Sequence, residues 1–437
     1  MLFDEDFTIE LADFRIRREM SRRIWEYEYG GTIVSAPALN EGIAYFGCCD
    51  YYVYAVDTET GREIWKYRTG GVILNSSPDI HENKLFITSY DGFLYCLEKN
   101  SGRLIWKFRT GEKLWSCPKY HKGLVYFGGC EDGFFYAVDA ETGREKWRYN
   151  AGDVVSSAVS VFRDRIYFGC YDGNLHCLNE EGKPEWKFKT GGNIFSDKSF
   201  TIHDGKIIFG SFDQNVYCVD CLTGKEIWRF KTGHGVDQTG CVFKNRVFIG
   251  SHDGYLYCLD FVSGKEMWRL KCGDRIGCVP KEHKGKIYFG CADHYFYCVE
   301  ANGRILWKYR TSNKNWCNPE ISNGVVLFGS TDCHFYALDA KTGKRKWVFA
   351  TSTLTPSKFR EYEKLAEAEI TIEPERSAED RKYESKIETV SLSDYHIQSE
   401  YSTISDYKQK SKYHVVFEDN EIMFTSLLNC RTPGSFK

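Results

Sequence analysis

Ala55-Val-Asp-Thr-Glu-Thr-Gly-Arg-Glu-Ile-Trp65 decides the reading of this chain. A short apolar run ends at Asp57, a polar turn closes on Gly61, and a new run carries Trp65. The same order returns at Ala137–Trp147 and Ala337–Trp347. Tryptophans stand at Trp25, Trp65, Trp106, Trp147, Trp186, Trp228, Trp268, Trp307 and Trp347, at intervals of 39 to 42 residues. A fixed period of that size means a stacked or radial array of one structural unit. Only Trp115 and Trp316 break the series.

Each unit has the same internal plan. A small or polar cluster precedes a short first run, and a second run follows, as in Arg165-Ile-Tyr-Phe-Gly169. Next comes a turn with an aspartate, at Asp50, Asp91, Asp132, Asp172, Asp213, Asp253, Asp293 and Asp332. Four of these precede glycine, a hairpin signal. A third run such as Tyr257-Cys-Leu-Asp260 leads to a second turn, which holds Gly61, Gly102, Gly143, Gly182, Gly224, Gly264, Gly303 or Gly343. The fourth run carries the tryptophan. Four aromatic and β-branched strands per 40 residues describe a propeller blade. One blade cannot bury both faces alone, so a closed ring must supply the core.

The Ala55–Trp65 stretch and its copies resemble the tryptophan-docking motif of quinoprotein-type propellers, the PQQ-like repeat. WD40 repeats place Asp after the tryptophan, which no unit here does. Kelch repeats order glycine and tryptophan differently. The resemblance covers residues 24–350 and implies an eight-bladed ring, but no activity, because the motif is structural. The expected fold is all-β: an eight-bladed β-propeller of four-stranded blades with a polar C-terminal extension. Nine tryptophan strands serve eight sets of the other three. The strand around Trp25 is therefore expected to complete the last blade, leaving Trp347 surplus or displaced. The alternative is a ninth blade, built from that strand and His414–Thr425, which resembles the first two strands of a blade.

The chain has 437 residues, a net charge of -3 and 16% aromatic residues. Such a balance gives no electrostatic footprint for nucleic acid or an anionic membrane surface, and it argues against general disorder. No run of about 20 apolar residues suggests a membrane helix. Residues 1–23, acidic from Asp4, lack the apolar core and cleavage site of an export signal. A cytoplasmic location is expected, with the 18 cysteines reduced.

After Thr351 the composition changes: 38 of the 39 glycines precede it. Residues 357–370 read as a short helix after Pro356, within a helix-and-connector segment 351–392 whose part from 371 is expected to be mobile. Residues 393–437 form a tail in which Tyr395, Tyr401, Tyr407 and Tyr413 recur every six residues. An even period sets them on one face of an extended strand. An acidic residue precedes Tyr395, Tyr401 and Tyr407, which suits docking or tyrosine modification.

Counted back from the second strand, Trp115 and Trp316 share one repeat slot with Val34, Asn75, Ser156, Asp197, Asp237 and Gly277. The next slot holds Ser35, Ser76, Ser116, Ser157, Lys198, Gln238, Cys278 and Cys317. First strands of blades line the central channel, so these slots are expected at its mouth. The scaffold is constant and these positions vary, which marks Trp115, Trp316, Asn75, Asp197, Lys198, Asp237 and Gln238 as candidate ligand contacts. The resembling family includes quinone-dependent dehydrogenases, which hold the quinone near the axis between an aromatic ring and adjacent cysteines, with calcium ligands and an Asp base. Cys48-Cys49 is the one adjacent pair. It is read as strand-end packing, since Cys or Ser fills the first of these positions in the other units. Cys96, Cys177, Cys218, Cys258 and Cys298 share a third-strand slot with alanines, so a small buried site is expected there. No paired CxxC, GxSxG or Walker A signal is present. The eightfold aspartate reads as a turn cap. Neither a cofactor nor a metal is expected. The function expected is a non-catalytic scaffold that binds a protein or peptide partner through a ring face, the axial mouth or the tyrosine tail. A small-ligand sensor at the axial pocket and a PQQ-dependent dehydrogenase are the alternatives.

Overall fold

The computed structural model describes residues 31–111, 113–351, 371–372, 414–418 and 421–425. Residues 31–351 form eight consecutive antiparallel sheets of four strands each. Blade 1 is β1 (Ala38–Asn40), β2 (Ile43–Gly47), β3 (Tyr52–Asp57) and β4 (Glu63–Arg68), paired in that order. Blade 8 ends with Arg345–Ala350. There is no helix among the described residues, and none is long and apolar enough to cross a membrane.

The sequence dictates both the bend and the docking of the fourth strand. In blade 1, Ala55 pairs with Trp65, and the register then slips between Ala55 and Val56. All eight blades slip at this alanine or cysteine. A bulge turns the outer strand, and a small residue opposite the indole leaves it room. These alanines and cysteines are fully buried, so the cysteine series is packing, as the alternation with alanine predicts.

Each tryptophan then crosses to the next blade. The Trp65 indole lies over Gly102 and donates through Nε1 to Lys99 O at 2.9 Å. Trp228 does the same over Gly264, donating to Phe261 O at 3.0 Å. At these turns glycine is required twice. Gly264 has φ +69°, and a Cβ there would sit 2.5 Å from the Trp228 ring. Eight hydrophobic clusters, each drawing on two neighbouring blades, form the core. Phe46 stacks on Phe335 at 4.3 Å between blades 1 and 8, and Phe296 on Phe328 at 4.0 Å between blades 7 and 8.

Ring closure corrects one expectation. Trp347 is neither surplus nor displaced. Its strand pairs with the third strand of blade 8, Ala337 opposite Trp347. Its indole covers Gly61 of blade 1 and donates to Thr58 O at 3.1 Å. The last blade therefore takes its fourth strand from its own repeat, and the ring closes by the same contact that joins every other pair. Residues 31–36 add to the seam: Ile33 N donates to Ser330 O and Thr351 Oγ1 to Gly31 O. Trp25 lies outside the described residues.

A further strand, Thr371–Ile372, pairs antiparallel with the outer strand of blade 7, where a mobile connector was expected. His414–Glu418 and Glu421–Thr425 form an antiparallel pair within a separate unit spanning Glu375–Lys437, and the ring itself has eight blades. The helix expected at 357–370 and Tyr395, Tyr401, Tyr407 and Tyr413 lie outside the described residues.

Candidate functional site

The turn between second and third strands, and the connection entering each first strand, meet at one end of the blades. The repeated aspartates build that end. Asp91 Oδ1 accepts the Phe93 N–H, while Oδ2 accepts the Tyr95 hydroxyl at 2.5 Å and the Gly70 N–H at 2.7 Å. One carboxylate thus ties the turn, the third strand and the incoming connection. The pattern recurs at Asp213, Asp253 and Asp293. Turn capping is the role of this series.

Blade 4 departs in one atom set. His176 stands where the other blades have tyrosine, with Nε2 3.2 Å from Asp172. The ring is fully buried and stacked on Phe168 at 4.9 Å. Burial pushes the Asp172 carboxyl up, but hydrogen bonds from His176 and Asn174 outweigh this and hold it well below its usual range. Cys170, Asp172 and His176 lie within 4.8 Å of one another. Two of the three are ordinary repeat residues at this place, so the group reads as a variant of the cap.

The backbone resets the axial register. The buried anchors Ile33, Ile73, Val155, Ile194, Val236, Ile276 and Asn315 each donate a backbone N–H to the preceding blade, and Leu114 stands in the same place. The residues that follow them are Val34, Leu74, Trp115, Ser156, Phe195, Asp237, Gly277 and Trp316. Trp115, Asp237 and Trp316 therefore share the slot, and Asn75 and Asp197 do not. Blade 2 holds one extra residue, with Asn75 in the left-handed region at φ +56°. Blade 5 holds two.

The blade 5 insertion reaches across the channel. Asp197 O accepts the Cys117 thiol at 3.0 Å and the Ser77 hydroxyl at 3.3 Å, from blades 3 and 2. Asp197 Oδ1 accepts Asn318 Nδ2 at 2.8 Å, from blade 8. Gln238 Oε1 accepts the Asp197 N–H at 3.3 Å. Lys198 Nζ bonds Glu320 Oε1 at 2.6 Å, and Lys281 takes the other oxygen at 2.6 Å. Burial, more than the nearby Asp237, pushes the Asp197 carboxyl up to about 7. Asp197, Lys198, Gln238 and, through its carbonyl to Cys117, Asn75 serve this cross-axis network. Axial cysteines join it as thiol donors: Cys317 Sγ lies 3.1 Å from Ser35 O and Cys278 Sγ 3.3 Å from Gly290 O.

Trp115 and Trp316 meet a second variable series, the residue just before each repeated aspartate. It reads Cys49, Tyr90, Glu131, Tyr171, Phe212, His252, Ala292 and Thr331. Trp115 lies 5.4 Å from Tyr90, whose phenol burial pushes well up. His252 Nε2 lies 3.0 Å from Asp237 Oδ2, its ring 5.9 Å from Phe212 and 6.4 Å from Trp316. Arg275 stands 5.7 Å from the Trp316 ring. Gly277 makes this grouping possible, since a Cβ would meet Trp316 at 2.3 Å. Asp237 Oδ1 is buried without a hydrogen bond inside the protein. The second series carries the same signal as the first, variation inside a fixed frame, and was missed because the constant aspartate drew attention past it.

These residues do not compose the quinone site that the resemblance implies. Cys48 and Cys49 are fully enclosed, and burial pushes both thiols well up. Three axial carboxylates have partners: Asp197 Oδ1 in Asn318, Asp237 Oδ2 in His252, and Glu320 in two lysines. At the opposite end of the blades, recesses of about 280 and 380 Å³ lie among turn residues of blades 4 and 5. His121, Asp164 and Glu180 approach one another beside the first, but Lys122 already bridges the two acids.

The sequence profile described as the β-propeller of the beta-alanine-activating enzyme matches residues 14–246. That described as outer membrane protein assembly factor BamB matches 212–294 and 277–366. No curated protein matches the chain. Among solved structures, the computationally designed Ika8 protein is similar at 16% identity, over 74% of this chain and 98% of that one, with a TM-score of 0.62. Quinohemoprotein alcohol dehydrogenase from Comamonas testosteroni matches at 16% identity over 71% of each chain, TM-score 0.59. BamB from Moraxella catarrhalis matches at 20% identity over 62% of this chain and 81% of that one, TM-score 0.51. At these identities the likeness concerns the fold alone. With eight tryptophan-docked blades and a profile match over more than half of its length, the chain belongs to the PQQ-like repeat propellers, in the β-propeller family named for the beta-alanine-activating enzyme.

Proposed function

We propose that the chain is a non-catalytic ring that binds a protein or peptide partner through its axial mouth. One observation carries this reading. The frame repeats eight times, yet no two blades carry the same pair of mouth residues, and the two series include Trp115, Tyr90, Phe212, His252, Asp237 and Trp316. Aromatic rings beside a carboxylate and an arginine suit a partner segment that offers a basic or aromatic side chain. The cross-axis network ties blades 2, 3, 5 and 8 together, which favours surface recognition over a deep substrate pocket. The reading includes a cytoplasmic location, in keeping with seventeen described cysteines that form no disulfide with one another. Affinity capture from native lysate tests it, with three baits: the full chain, residues 1–351, and the full chain with Trp115→Ala and Trp316→Ala. Loss of the partner only with the tryptophan changes supports the mouth. Loss only on truncation would move recognition to the tyrosine tail, and no partner for any bait would sink the reading.

A small-ligand sensor is the second reading. The part-exposed Asp237 carboxylate would take an ammonium while Arg275 takes a carboxylate, the two ends of a small amino acid such as β-alanine. Calorimetric titration with β-alanine, comparing Asp237→Asn with the parent chain, separates the two: saturable heat lost in the variant favours the sensor.

A further inference from the structure

Blade 7 differs from the others at its outer edge. Its fourth strand, Ile305–Arg310, has a fifth strand against it: Thr371 pairs with Lys308 and Ile372 with Trp307. The outer strand of a blade has one row of backbone groups that its own four-stranded sheet leaves unpaired, and native sheets protect such edges with charge or proline. The first residue of the fourth strand does this in six blades, as Glu63, Glu145, Pro184, Glu226, Glu266 and Arg345. Blades 2 and 7 have Leu104 and Ile305 instead. In blade 2, Ile105 remains 40% exposed, like Ile64 at 46% and Met267 at 47%. In blade 7, the counterpart Leu306 packs against the core, and so does Ile305. Tyr309 is fully buried where the corresponding ring of blade 1, Tyr67, is only half-buried.

We propose that the outer edge of blade 7 is a strand-docking site, held in cis by Thr371–Ile372 and able to take instead an extended, alternately apolar and acidic segment of a partner protein. Three observations support this occupant. The cis strand shows that an extended chain fits the edge in antiparallel register. Among the described residues it pairs at two positions of a six-residue strand. Charge completes the argument. Lys66, Arg148, Arg229 and Arg269 each have a glutamate three residues earlier within 4 Å, whereas Lys308 has Ile305 there. The sequence around the cis strand, Ala366-Glu-Ala-Glu-Ile-Thr-Ile-Glu-Pro-Glu-Arg376, has an acidic and apolar alternation suited to Lys308. Main-chain bonds would give affinity and alternate side chains selectivity. The tether gives the cis strand an effective concentration on the order of millimolar, so it acts as a competitor that a partner must displace. This site is independent of the mouth.

The probe is a fluorescent peptide of residues 366–376, read by anisotropy against the full-length chain. Thr371→Pro removes a ladder donor and should release the edge. The peptide is expected to bind the Thr371→Pro chain at least ten-fold more tightly than the parent. Adding Ile305→Glu, the residue found there in four blades, should return binding to the parent level while the ring still unfolds in one cooperative transition. Equal binding to parent and Thr371→Pro, no binding to either, or indifference to Ile305→Glu would each overturn the proposal.

Discussion

At the turn before the fourth strand, Gly264 supports Trp228 as Gly61 supports Trp347, and all eight blades repeat the contact. At the mouth, no two blades carry the same pair: Trp115 with Glu131, Asp237 with His252, Gly277 with Ala292, Trp316 with Thr331. The two ends of one blade thus answer to different demands. The docking end has a single geometric solution, an indole on a Cβ-free turn in the left-handed region. The mouth end is framed by the aspartate cap, so the residues it presents can change without disturbing the blade.

Four substitutions would break or sharpen that contrast. The largest effect is expected for Trp347→Ala, which removes the contact that closes blade 8 on blade 1. It should cost roughly 3–5 kcal/mol, read as a lower urea midpoint. Asp197→Asn should act in the other direction, and only where the acid is charged. Its folded pKa of about 7 lies above the unfolded value, so folding takes up a proton between about pH 4 and 7. The resulting penalty is full above pH 7 and fades as the pH falls toward 4. The variant should therefore gain roughly 2–4 kcal/mol at pH 8 and little at pH 4. Melting curves at both pH values check the sign, and a gain at pH 4 alone would refute it.

Gly264→Ala should cost about 2–3 kcal/mol, because the added carbon meets the Trp228 ring and the backbone has φ +69°. Trp316→Ala should cost only about 1 kcal/mol in thermal unfolding, since the ring is part-exposed and belongs to the mouth. A cost near that of Trp347→Ala would make Trp316 another structural tryptophan and erase the contrast.

The ring was legible because its contacts are repeated and local: the Trp, Gly and Asp series are the docking, turn and cap residues themselves. What escaped lies where the repeat is broken. Counting the axial slot from the second strand passed over the insertions at Asn75 and Asp197, since backbone bonds from the preceding blade set the register there. Trp347 looked surplus because sequence counting cannot tell which tryptophan meets Gly61 across the seam. The strand at 371–372 escaped because its partner edge, Ile305–Arg310, differs from four of its siblings mainly by one missing glutamate.

The most direct test of the contrast is site-specific photocrosslinking in the native host, with p-benzoylphenylalanine placed at Phe212 in the mouth or at Ile64 on the outer rim of blade 1. Reproducible partner adducts from position 212, absent from position 64, are the predicted result. Adducts from 64 alone, or from neither, would contradict the claim that the mouth is where this ring meets its partner.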